Sequence, residues 1–153
     1  MEALLTLFET LTVQLKQLTE LAKRKTAAVR RSDLLELDKI LKEEQAQSLA
    51  LRGLEQKRIT MLQQLGLQDI PLTELSSKVP ADLQQKAKAT VENLRREFAI
   101  YRSAAEVARN TLECNLHEVE KFLAAAGAGE DSGAGYQNGN VEPPSKMKSD
   151  FRA

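Results

Sequence analysis

Between Pro80 and Ala126, apolar or small residues recur at Leu83, Ala87, Val91, Leu94, Phe98, Tyr101, Ala105, Ala108, Leu112, Leu116, Val119 and Leu123. Every step is three or four, so the row stays on one face of an α-helix. Pro80 suits the first helical position, and Gly127 suits a left-handed cap after the last turn. At 1.5 Å per residue the helix would be roughly 70 Å long, several times the common length. Such a helix is a strut or a binding surface. Its stripe needs neighbours of comparable length to cover it.

The preceding sequence supplies them. In residues 1–31, Leu4, Phe8, Leu11, Leu15, Leu18, Ala22 and Val29 form a heptad-like seam broken at Lys25. Ser32-Asp33 interrupts the pattern, and Asp33 with Glu36 has the spacing of a capping box. A kink, or a break and restart, is expected there. A second helix over 33–65 carries a seam at Leu34, Leu37 and Leu41, turns polar through Lys42–Ser48, and resumes at Leu51, Leu54, Met61, Leu62 and Leu65. Arg58 stands where an apolar residue is due; its stem can pack while the guanidinium reaches an acid such as Glu55. Gly66 is placed to end this helix. Residues 67–79, with Pro71 and one short turn around Leu72–Ser77, are long enough to reverse the chain. No strand-like alternation occurs. The predicted fold is all-α, an elongated antiparallel bundle or hairpin of three long helices over 2–31, 33–65 and 80–126.

From Gly127 the character changes. Residues 127–153 hold five of the seven glycines and two of the four prolines. So little apolar surface cannot offset chain entropy, and a disordered tail is expected. The domain division is therefore 1–126, helical, and 127–153, tail.

Charge and reactive residues exclude several functions. Lys+Arg and Asp+Glu both number 22, against the basic excess of a nucleic-acid binder. No apolar run approaches a membrane span, and the acidic start MEALLTLFETL is unlike a signal peptide. A cytoplasmic protein is the expectation. Cys114 and His117 are the only residues of their kinds. They stand three apart on one helix face, but nucleophilic catalysis also needs an orienting third group and a water-excluding site. Zinc needs three or four ligands, and no glycine loop lies between a strand and a helix to cradle phosphate. The acid pairs Glu43-Glu44 and Glu118/Glu120 read as solvated helix faces. The reading is of a protein that is not an enzyme, with no catalytic residue, cofactor, metal or small-molecule substrate.

Two features point to binding. Ala104, Val107, Cys114 and Phe122 widen the apolar stripe around Leu112, Leu116, Val119 and Leu123 at the carboxyl half of the third helix. Left partly open, such a face is a groove for an amphipathic partner helix; the alternative is that the first two helices cover all of it. The candidate binding residues are Val107, Leu112, Leu116, Val119, Phe122 and Leu123. The second feature is Tyr136, a lone aromatic in the tail and a candidate anchor for a short docking motif. The basic cluster Lys23, Arg24, Lys25, Arg30 and Arg31 reads first as a complement to a helix C-terminus, and second as a site for an anionic partner.

The leucine-rich first helix, the break at Asp33-Leu34, the LKEEQ patch at Leu41–Gln45 and LEQKRITMLQQLGL at Leu54–Leu67 together resemble FlgN-type flagellar type III export chaperones. Glu55, Arg58, Leu62, Leu65 and Gly66 fit the E-x-x-R…LL…LG ending of that family's second helix. Asn110, Asn115 and the glycine-containing tail with its Tyr are also similar. The resemblance covers residues 1–140 and implies an α-helical cytosolic chaperone without ATP dependence. Such a chaperone binds the terminal helical segments of hook-associated (hook–filament junction) export substrates and delivers them to the flagellar export gate at the inner face of the membrane. With that reading, the apolar face of the third helix is the expected client site and Tyr136 the expected gate-docking contact, and a weak homodimer is compatible with it. The competing reading is a homo-oligomeric coiled-coil spacer, which would want the unbroken heptads that Lys42–Ser48, Arg58 and the Ala104–Ala108 region interrupt or weaken.

Overall fold

The computed structural model describes residues 1–130, with the side chains of residues 1–127. Three helices, α1 (Glu2–Arg30), α2 (Leu34–Gln64) and α3 (Gln84–Glu130), are joined by a three-residue reversal and by a connection holding a short 3-10 helix, Leu75–Lys78. The strand-free, three-helix architecture expected from periodicity is the one observed among the described residues. The expected disorder of the tail concerns residues outside them.

Helix α1 is the most deeply buried. Its whole seam is covered, and Leu5, Leu7, Leu21 and Ala28 are buried beside it, because α1 is flanked on two sides. The break in the seam at Lys25 is explained by the neighbour it meets: Lys25 Nζ lies 2.6 Å from Glu44 Oε2 on α2. Buried Thr19 and Thr26 satisfy their hydroxyls by donating to the carbonyls of Leu15 and Ala22 one turn back.

Residues Arg31–Asp33 reverse the chain. The Ser32 N–H donates to the Val29 carbonyl and the Asp33 N–H to the Ala28 carbonyl, at 3.1 and 2.9 Å. With Ser32 at φ 55, this is a Schellman ending built on a serine instead of the usual glycine. Asp33 then begins α2, its carboxylate accepting from the Glu36 N–H at 3.0 Å, as the capping spacing predicted. The expected break and restart is thus a full turn-about. Helix α2 ends the same way: Gly66 at φ 67, with Gly66 N–H to Gln63 and Leu67 N–H to Leu62 at 3.0 and 2.9 Å. Leu62 and Leu67 are both buried in one cluster, the apolar contact that usually accompanies this motif.

Helix α2 runs antiparallel to α1, as the pairs Gln14–Gln47, Lys25–Glu44 and Arg24–Glu43 require. Helix α3 returns antiparallel to α2 and so runs parallel to α1. Lys86 reaches Glu9 at 3.8 Å near the start, Ile100 and Ala104 lie beside Lys23 and Ala27, and Asn110 and Asn115 lie beside Val29 and Arg30. One core cluster joins Leu4, Phe8, Leu11 and Leu15 to Leu62, Ala87, Val91 and Leu94, and the connection contributes Leu67, Leu75 and Val79. A second gathers Leu18, Leu21, Ala28 and Ile40, with Leu37, Leu51 and Tyr101 against it.

Four details differ from expectation. Ile40, not Leu41, is the buried residue of α2's first half, and Leu34 is 74% exposed; the phase of α2 is set by its antiparallel contact with α1. Phe98 faces partly outward while Glu97 takes the covered position. Pro80 opens a turn, with Leu83 N–H to Pro80 O at 2.9 Å, and α3 begins only at Gln84. Gly127 does not end α3, which continues to Glu130. By contact the chain forms two units, Met1–Val119 and Glu120–Ala153.

Candidate functional site

Within the first unit, α3 outlasts its cover. Its inward row runs Ala87, Val91, Leu94, Tyr101, Ala108, with Leu112 half-buried. Val29 and Arg30, at the end of α1, already lie beside Asn110–Asn115. Among the described residues, the next positions of the row are poorly covered: Leu116 is 53% exposed and Val119 47%. Leu34 and Leu35, just past the reversal, are exposed at the same end. In the second unit, Phe122 and Leu123 are exposed.

Not all the candidate binding residues share a face. At about 100° per residue, Val107 lies about 180° around α3 from Leu116 and about 140° from Leu112. Leu112, Leu116 and Val119 continue the core stripe. Val107 instead lines a groove of about 890 Å³ between α1 and α3, whose floor includes Ala27, Ala99, Ile100 and Ala104 and whose α1 edge carries Lys23, Arg30 and Arg31. The predicted single face is two surfaces on opposite flanks of one helix.

The basic cluster divides in the same way. Arg24 is held by Glu36 and Glu43 at 2.8 and 2.9 Å; these hydrogen bonds, Glu43's first, raise the pKa of its guanidinium further. Lys25 is held by Glu44. The acids of the LKEEQ patch are thus inter-helix partners as well as a largely solvated face, Glu43 being exposed and Glu44 partly covered. A signal was present in the sequence: the adjacent bases at 23–25 and the adjacent acids at 43–44 lie at similar distances, eight to eleven residues, on either side of Asp33. Arg30 and Arg31 make no ion pair among the described residues, and Lys23 reaches only Glu20, at 2.9 Å on its own exposed face. The Arg58 guanidinium meets Glu55 at 2.9 Å, as expected. Those two residues also edge a second groove, of about 650 Å³, with Leu51, Leu94 and Phe98. Beside Glu44, the Tyr101 phenol is pushed above its usual range, chiefly by burial and secondarily by that carboxylate.

Cys114 is a free, exposed thiol, and His117 is exposed on the same helix. Neither is enclosed in a water-excluding pocket among the described residues. Among the described residues no cluster of His, Cys, Asp or Glu could hold a metal ion, and no helix is long and apolar enough to cross a membrane. Tyr136 lies outside the described residues.

A family model described as FlgN protein matches residues 1–140. No curated protein and no solved structure matches the chain.

Proposed function

This chain belongs to the FlgN family, and from that premise we propose that it is a cytosolic, substrate-specific chaperone of flagellar type III secretion. FlgN-family proteins are flagellar export chaperones in general. The finer reading is that this one binds hook-associated proteins of the hook–filament junction and carries them to the export gate, visiting the inner face of the membrane only to hand over its cargo. Leu112, Leu116 and Val119 of the first unit, and Phe122 and Leu123 of the second, are assigned to the client. Val107 contributes from the opposite flank of α3.

The observation that carries this is the run of core stripe beyond the end of α1. Leu116 and Val119 are half-exposed on a helix whose earlier turns are buried in the same phase. An export client held unfolded presents amphipathic segments with no partner of their own. Laying one along this stripe buries apolar surface on both sides, at about 25 cal/mol per Å². Ordering the segment costs several kcal/mol, which keeps the complex releasable without ATP. Tyr136 is assigned a weak docking contact with the gate. The test is affinity capture of the tagged full chain from its own cells, followed by mass spectrometry. Stoichiometric recovery of a hook-associated protein is expected; recovery of the chain alone, as a stable oligomer, would instead make it a coiled-coil spacer.

A further inference from the structure

The groove between α1 and α3 is a second surface, on the far flank of α3 from Leu116, and its chemistry is specific. Its floor is small and apolar: Ala27 on α1, Ala99, Ile100, Ala104 and Val107 on α3. The small side chains of Ala99, Ser103 and Ala104 let another helix backbone approach closely, and Ile100 and Val107 give it apolar side chains to pack on. The groove does not stop at Val107. A further hollow continues past Arg30 along Asn110, Thr111, Cys114 and Glu118, so the two together follow α3 from Ala99 to Glu118, about 28 Å. That is the length of a helix of about five turns.

The α1 edge is cationic. The bases of this cluster that face α2 are neutralised by Glu36, Glu43 and Glu44. Arg30 and Arg31, which face the groove, have no such acid among the described residues, and Lys23 has only a solvent-exposed neighbour. A helix terminus attracts bases through its dipole, but that does not explain why they border an apolar trough. A fourth helix lying in the trough would complete a four-helix arrangement, with its apolar stripe on Ile100 and Val107 and its acidic flank on Lys23, Arg30 and Arg31.

We propose that the valley between α1 and α3 seats an amphipathic helix with an acidic flank, supplied by the export client. The identity of that client rests on the chaperone reading above; the charge and shape of the seat do not. Each exposed ion pair is worth a factor of about two, so three together contribute roughly tenfold in affinity, screened by salt.

The test uses the full chain and two labelled synthetic peptides of about 20 residues. They share a Leu/Ala stripe at helical spacing and differ in the flank, Glu in one and Lys in the other. The Glu peptide is expected to bind at least tenfold more tightly. The Lys23→Gln/Arg30→Gln/Arg31→Gln protein should lose that preference, and should lose about tenfold toward a purified hook-associated protein. Ser103→Phe, at an exposed position lining the groove, should block the Glu peptide while leaving the melting curve unchanged. Equal binding of the two peptides overturns the proposal, as does a folded triple variant that still prefers Glu. Loss of binding to phosphatidylglycerol vesicles in the triple variant, with no peptide preference in the parent, would overturn it in favour of a membrane surface. The two readings fail separately: client capture indifferent to the triple substitution sinks the groove alone, and charge-selective peptide binding without any hook-associated client sinks the chaperone reading alone.

Discussion

Replacing Ile40 with alanine tests the register that aligns α2 with α1. Ile40 is 0% exposed and belongs to the cluster of Leu18, Leu21 and Ala28. The change removes about three buried CH₂ equivalents, roughly 2.4 kcal/mol at ~0.8 kcal/mol each. A residual cavity adds to this, though the half-buried Leu37 and Leu51 nearby let the site partly collapse. A total of about 3 kcal/mol is expected, inside the usual span for Ile→Ala. Leu34→Ala is the control. Leu34 is 74% exposed, so its loss should cost under about 1 kcal/mol. For a chain of this size the melting point should fall by about 6–12 °C in the first case and by no more than ~3 °C in the second. Urea unfolding followed at 222 nm measures both as midpoint shifts at constant slope. If Leu34→Ala destabilises as much as Ile40→Ala, α2 presents its Leu34–Leu37–Leu41 edge to α1. The Arg24–Glu43 pair would then be out of reach, because Glu43 lies about 160° around α2 from Leu41.

Leu116→Asp and Val119→Asp should leave the helical circular dichroism and melting point nearly unchanged, because both sites are half-exposed, while client capture drops by tenfold or more; a steep loss of stability would make these residues core. In a Tyr136→Phe protein the one remaining phenol, Tyr101, should titrate above its ordinary ~10 by absorbance at 295 nm, since its folded pKa is raised. Its stabilising contribution is then complete below the unfolded pKa and is lost as pH rises through the folded one, so a midpoint at or below 10 would refute its burial. Truncation after Ala126, or Tyr136→Ala, should keep folding and client affinity but slow export and weaken gate association; normal export with lost client binding would move the client site into the tail.

What was legible in the sequence was mostly local chemistry. Asp33 caps because a carboxylate three residues before an N–H reaches it, and Gly66 ends α2 because the left-handed turn favours glycine. The Arg58–Glu55 pair is fixed by one helical turn. Phase was less legible. In a stretch such as Leu34-Leu35-Glu36-Leu37 followed by Ile40-Leu41, several apolar stripes fit equally, and the contact with Leu18 and Ala28 chooses among them. Alanines in Ala124–Ala126 outweigh the helix-ending tendency of Gly127, a cost of only about 1 kcal/mol. The division of the binding residues into two flanks was in the numbering all along: 107 to 116 is nine residues, two and a half turns. The ion pairs of Glu43 and Glu44 needed the reversal at Asp33 to be a complete one, which spacing alone did not establish.

The parallel placement of α3 beside α1 has a consequence for how the protein is made. Helix α1 and helix α2 meet through a three-residue reversal, so their pairing can form as soon as both have left the ribosome. The other cover for Leu4, Phe8 and Leu11 is Val91 and Leu94, encoded some thirty codons after α2 ends. At 5–20 residues per second that interval is about 2–6 s. During it the nascent hairpin carries an open leucine row along α1, a surface that any passing amphipathic segment fits as well as α3 does. A translation pause placed after α2 would lengthen that exposure and favour aggregation, whereas rapid synthesis through Leu94 would close it.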